Sequence, residues 1–161
     1  MVHIIDRLAV RLVVTGPDTT EWAQRMKARR RELSLQDRVE FAGEATDIRP
    51  VFDQADVMLA PSRREALSLS LIEAAAAGRP GIGGIPEVID DGRSGLLVPA
   101  EDPAALAGAI LRLARGDALR LRMGQAARRV YEQCFTEAAM VRGTEAAGNG
   151  ALAGYRERGR G

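Results

Sequence analysis

Val57 to Ala60 reads Val-Met-Leu-Ala, with no polar residue to break it, and Pro61 stops it. An alternating pattern would mark a strand with one wet face. A solid apolar run this short marks a strand covered on both faces, as in the middle of a parallel sheet. Parallel strands need long crossovers, usually helices. The segment after Pro61 opens as loop and turns helical at Leu71 to Ala77, a run of strong helix formers, with Ser68 and Ser70 as candidate caps. That places Glu65 in a loop and Glu73 in the first turn of a helix, with seven residues between them. Loops at the carboxyl ends of parallel strands, followed by helix N-termini, are where open α/β sheets hold anionic ligands.

The rest of the chain repeats the alternation. Leu8 to Thr15 is rich in Leu and Val and runs into Gly16-Pro17-Asp18, a strand ending in a turn. Asp18 and Glu21 have capping-box spacing, and Trp22, Ala23, Met26 and Leu33 fall along one side of the helix expected next. Lys27 and Arg31 take its wet face, with Arg29 turned back toward the apolar side. Arg38 to Phe41 is a second strand, left at Ala42-Gly43, and a brief helix carries Ile48, Val51 and Phe52. Gly95 to Val98 is another buried strand. Asp102-Pro103 caps and starts a helix with Leu106, Ile110 and Leu113 inward, and Asp117 starts one with Leu119, Met123, Ala126 and Val130 inward. Strands alternating with helices, never in tandem, predict an α/β domain: a parallel sheet sandwiched by helices, Rossmann-like.

Composition narrows what such a domain does. With 161 residues, 46% of them hydrophobic, the chain can bury a single core. Twenty-three Lys and Arg against 22 Asp and Glu leave a formal charge of +1. That balance supplies no broad field for nucleic acid or an acidic membrane, so any anion site must be local. One cysteine, Cys134, cannot form an intrachain disulfide, and no apolar run reaches the ~20 residues of a membrane span. The opening residues lack the pattern of a signal peptide, and a cytoplasmic protein is expected. His3 and Cys134 are isolated and carry no expected role. From Thr136 a weaker helix should fade into Gly148-Asn149-Gly150. The domain is therefore expected to cover 1–147, with its core at about 8–136, and 148–161 to form a flexible Gly/Arg-rich tail.

The stretch around the two carboxylates is similar to the donor-binding half of retaining glycosyltransferases of the two-domain GT-B architecture, the group 1 or family 4 type. In that family a strand ends in Pro-Ser, a Glu follows, and after seven residues comes a second Glu inside Glu-Ala-x-Ala-x-Gly-x-Pro. Here these are Pro61-Ser62, Glu65, and Glu73 to Pro80. Gly-Gly-x-Pro-Glu is matched by Gly83 to Glu87, and Asp91-Gly92-x-x-Gly95-Leu96-Leu97-Val98 completes the signature. Upstream, Gly16-Pro17 and Asp37-Arg38-Val39-x-Phe41-x-Gly43 resemble the family's strand ends. Weaker similarity covers roughly Leu12 to Thr136.

The resemblance implies a role for each matching position. Glu65 is expected at the reacting carbon and hydroxyls of the donor sugar, as the catalytic residue. Glu73 is expected to accept hydrogen bonds from the ribose hydroxyls of the nucleotide. Between them Ala66, Leu67, Ser68 and Leu69 would offer the diphosphate backbone N–H groups and the positive end of a helix. Gly16 and Gly43 would border the donor. The donor is a nucleotide-diphosphate sugar. No cofactor and no metal are expected, in keeping with the lack of an Asp-x-Asp pair or a Cys/His cluster. Hexosyl transfer would need an acceptor domain that this length does not contain, supplied elsewhere in the protein or by another subunit, and the face it normally covers favours a homo-oligomer.

Against the family pattern, Pro80 meets Gly81-Ile82-Gly83 directly, so a strand is expected to be shortened or missing. The glycines at 81, 83 and 84 permit close approach of backbone to a ligand, or form an ordinary loop. Met1 to Arg11 has no Arg-x-x-x-x-Lys clamp for the diphosphate, leaving Arg63 and Arg64 as the nearest cations in sequence. Ser70 and Glu73 also have capping-box spacing, a structural use for Glu73. Two other readings remain open: a non-catalytic remnant acting as a nucleotide-binding or protein-interaction module, and another nucleotide-sugar enzyme of the same architecture, such as a 2-epimerase.

Overall fold

The computed structural model describes residues 10–158 apart from Arg64 and Ala66, with side chains as far as residue 147. Five strands and six α-helices follow one another as expected. They are β1 (Leu12–Thr15), α1 (Glu21–Glu32), β2 (Val39–Gly43), α2 (Arg49–Gln54), β3 (Met58–Ala60), α3 (Leu69–Ala76), β4 (Gly81–Gly83), β5 (Gly95–Leu97), α4 (Pro103–Ala114), α5 (Asp117–Val130) and α6 (Glu137–Arg158). A π-helical turn, Tyr131–Phe135, joins the last two.

All pairings between the strands are parallel, but the strands form two sheets. β1 pairs with β2, and β3, β4 and β5 form a second sheet in that order. The second sheet is covered on both faces. Ile82, at the middle of β4, packs with Leu96, Ala109, Leu113 and Met123 against α4 and α5. On the other face Ala60, Leu71, Ile85, Val88 and Ile89 pack together beneath α3. Because side chains alternate along a strand, Gly81 and Gly83 point toward that second face. A Cβ on Gly81 would meet Leu71 Cδ2 at 2.6 Å, so the bare backbone of β4 lets α3 lie close against the sheet.

β4 is thus shortened but not lost. Its three residues are all buried and paired on both sides. The glycines at 81 and 83 belong to this strand and serve packing rather than forming a loop. Gly84 is the exposed residue just beyond it.

The caps show where local signals and packing part. Asp102 accepts from the N–H groups of Ala104 and Ala105 at 3.0 and 2.9 Å and starts α4, as its sequence indicates. At α1 the cap is Thr20, whose Oγ1 accepts from Ala23 N at 3.1 Å. Asp18 instead pairs with Lys27 at 2.8 Å. No residue of α1 is buried: Trp22 is 63% and Met26 43% exposed, so the expected inward stripe is absent. Arg30, not Arg29, turns inward, donating to Val39 O at 2.9 Å and lying over the Phe41 ring, while Arg29 stays exposed. Lys27 also folds back, toward Phe41. At the other end α6 continues through Gly148 to Arg158, because the Ala, Glu and Arg around its glycines are strong helix formers that offset roughly 1 kcal/mol for each glycine.

Candidate functional site

The site grows from the end of β3. After Ala60 the chain leaves the sheet at Pro61, passes the exposed Glu65, and re-enters regular structure at Leu69. Ser68 is the N-cap residue by position, with extended φ and ψ of −90° and 105°. It is buried and makes no capping hydrogen bond with its side chain. The first intrahelical bond is donated by Ile72 N to Ser68 O at 3.1 Å. The N–H groups of Leu69, Ser70 and Leu71 therefore have no intrahelical acceptor, and no acidic side chain stands in the first turn to compensate them. The opposite end of α3 is satisfied: Arg128 Nη1 donates to Ala76 O, and Arg79 N to Ala74 O at 2.8 Å. The positive end of α3 is left to solvent, and an anion there would be favoured.

Because α3 begins at Leu69, Ser70 lies inside it and Glu73 in its second turn. Both sequence expectations for Glu73, a first-turn position and a capping box with Ser70, are therefore corrected. Packing places the start: burial of Leu71, Ala74 and Ala75 orients the helix, with Leu69, Ser70 and Glu73 along its exposed side. Leu69 and Glu73 are four residues apart and so share one face. Leu69 is 70% exposed and Leu67 43%. Among the described residues the side chains of Glu65 and Glu73 have no hydrogen-bond or ion-pair partner.

Ala66, expected in the diphosphate cradle, lies outside the described residues, as does Arg64. Gly16 and Gly43 are brought together. Gly16 N donates to Gly43 O at 2.9 Å, and their φ values of +134° and +73° let both strands turn away at the same level. They stand at the carboxyl ends of β1 and β2, in the other sheet from β3.

A hollow of about 190 Å³ lies at the carboxyl ends of β3, β4 and β5, lined by Pro61, Ser62, Gly84, Pro99, Glu101 and their neighbours. Neither Glu65 nor Glu73 lines it. Arg63 Nε meets Glu101 Oε1, one of the lining residues, at 2.6 Å, so this arginine is engaged with the segment after β5. The sequence reading missed this hollow, although its lining follows directly from the residues that succeed three parallel strands. Among the described residues no group of three or more His, Cys, Asp and Glu side chains gathers as a metal site, and no helix is long and apolar enough to cross a membrane.

Parallel strands, helices on both faces and loops gathered at the strands' carboxyl ends define a Rossmann-like α/β domain of the kind that forms half of a GT-B glycosyltransferase. The family model described as Glycosyl transferases group 1 matches residues 1–116, and the chain belongs to that family. It is 37% identical over 131 residues to N-acetyl-alpha-D-glucosaminyl L-malate synthase of Bacillus anthracis, an alignment covering 78% of this chain and 33% of that protein. In structure it resembles sucrose-phosphate synthase of Thermosynechococcus elongatus, with 28% identity and a TM-score of 0.79 over 95% of this chain and 41% of the other. The fold is also that of HepE from Anabaena, solved in complex with UDP, at 17% identity and a TM-score of 0.80 over 94% of this chain and 44% of the other. The chain thus spans about a third of the Bacillus relative and less than half of each of these structures.

Proposed function

We propose that this domain binds the nucleotide-diphosphate sugar donor of a retaining, metal-independent hexosyl transfer, and that an acceptor-binding domain outside these residues completes the reaction. The observation that carries the reading is the open N-terminus of α3, uncapped and free of acid in its first turn, with unpaired carboxylates before it and one turn into it. A diphosphate at this end accepts from the free N–H groups and gains from the helix dipole, which steadies the charge of the departing nucleoside diphosphate. Glu73, on the same exposed face as Leu69, accepts from the vicinal hydroxyls of the ribose. Glu65, on the preceding loop, holds the sugar at its hydroxyls and stabilises positive charge at the reacting carbon. UDP in the structurally similar HepE supports a nucleotide as the ligand class.

Calorimetric titration with UDP-glucose, GDP-mannose, UDP and GDP tests this. Glu73→Ala should weaken nucleotide and nucleotide sugar alike, and Glu65→Ala mainly the sugar-bearing form. Equal losses from the two changes would overturn the assigned roles. No heat and no thermal shift with any of the four would favour a protein-interaction remnant.

A further inference from the structure

The open N–H groups of Leu69, Ser70 and Leu71 point along the α3 axis, and a hydrogen bond weakens as its donor turns off line. Fixing an axis takes two points. Near the start of α3, Leu71 supplies one: it is buried beside the bare backbone of Gly81 and packs with Ala60, Ile85, Val88 and Ile89. Beyond it the buried side chains of the helix are Ala74 and Ala75, which fill little space and resist tilting little. Eight residues are also too few for a helix to stand alone, so its aim is set by what it touches.

Arg128 supplies the second point. It stands in the last turn of α5, a helix anchored by the buried Met123, Gly124 and Ala127. Its Nη1 donates to the carbonyl of Ala76, the last residue of α3 and 52 positions away in sequence. Two further contacts orient the guanidinium. Nε donates to Glu132 Oε1 at 2.7 Å, and Cζ lies 5.4 Å from the centre of the Tyr131 ring. One planar group thus joins α5, the π-helical turn and the carbonyl end of α3, in a geometry that a lysine does not reproduce. Phe135, at the end of the same turn, packs against the cluster that holds Leu71, so this unit borders both fixed points.

The exposure of the contacts separates orientation from stability. The Arg128 and Glu132 side chains are 50% and 52% exposed, and an ion pair at that exposure adds little to folding. What it does is select one position for the guanidinium, and through it one position for the end of α3.

We propose that Arg128 is a positioning residue for the donor site: by holding the carbonyl end of α3 it aims the open N-terminus of that helix at the diphosphate, and Glu132 keeps the arginine in place. This rests on the donor-site reading above.

Calorimetric titration of the 161-residue chain with UDP, together with thermal unfolding of each variant, tests it. Arg128→Gln should weaken UDP roughly three- to tenfold and move the thermal midpoint by no more than about 2 °C. Glu132→Ala should weaken UDP in the same direction, and the double variant should lose little more than Arg128→Gln alone, because Glu132 acts through the arginine. The sign of Glu132→Ala tells positioning from a plain field effect. Removing an acid leaves the surroundings more positive, so an arginine acting by charge alone would then bind UDP as well or more tightly. Arg128→Lys keeps the charge without the fork and should not restore affinity.

Unchanged affinity in Arg128→Gln, unchanged or tighter binding in Glu132→Ala, or full rescue by lysine overturns the proposal. A lowered midpoint with unchanged affinity does so too, since it marks a purely structural arginine. Should Arg128→Gln fail to fold, the sign of Glu132→Ala decides alone. No UDP binding in the unchanged chain overturns the donor reading and this proposal with it, whereas binding there that survives Arg128→Gln overturns this proposal alone.

Discussion

The carbonyl oxygen of Ala60 lies 2.6 Å from where a Cβ on Gly83 would stand. The two residues are partners across the β3–β4 ladder, and both belong to buried backbone that cannot give way cheaply. Gly83→Ala should therefore lower the unfolding free energy by about 1–3 kcal/mol, the usual cost of overpacking. Urea unfolding measures it. A neutral result would mean that β4 is loose enough to serve as a ligand loop after all.

Leu69 opens α3 and points to solvent. Leu69→Asp sets a carboxylate where the helix dipole welcomes one, worth about 0.3–1 kcal/mol in a first turn. Stability should hold or rise while UDP affinity falls. The opposite signs are the point: a drop in both would mark folding damage, and an unchanged affinity would remove the diphosphate from this helix end. Thermal unfolding and calorimetry on the same sample decide.

Asp102 satisfies two N–H groups of α4 ahead of Pro103. Asp102→Ala should cost about 1 kcal/mol through loss of the cap, and Asp102→Asn should recover most of it. Chemical denaturation of the three proteins provides the comparison. The helix packs Leu113 into the core, so the loss should appear in the global transition.

Asp18 is held below its ordinary value of 3.8, first by the hydrogen bond from Lys27 and then by that residue's charge. Asp47 is lowered by Arg49, first through the hydrogen bonds from its side chain and then through the one from its backbone N–H. A carboxylate whose pKa is depressed in the folded state contributes stability that is present above its unfolded pKa. That contribution is lost as pH falls through the folded value. Both contributions should therefore be fully present at neutral pH and be lost progressively as pH falls below 3.8 through the lowered folded values. Lys27→Met should return the Asp18 carboxyl titration, followed by NMR, toward 3.8. A midpoint unmoved by that change would separate the pair.

Much of this architecture was legible because its signals are local. Val57 to Ala60 declares a covered strand by having no polar residue, and Asp102-Pro103 declares a helix start by cap and fixed φ, whatever surrounds them. What failed were readings that depend on a neighbour. Trp22 and Met26 have the spacing of a buried stripe, yet a stripe is buried only where something covers it, and α1 faces solvent. Ser70 has the chemistry of a cap, but burial of Leu71 and Ala74 sets the start of α3 two residues earlier, at Leu69. Gly81 and Gly83 look like loop residues until both neighbouring strands close on them.

The amino-acid order alone determined the succession of strands and helices and the parallel class, because periodicity, caps and turn chemistry act over a few residues. Only the tertiary structure decided that β4 is a complete three-residue strand, that Glu73 stands in the second turn of α3, and that the strands of the described residues divide into two sheets. Those outcomes depend on which surfaces meet across long stretches of chain, and no local pattern encodes the presence or absence of the partner.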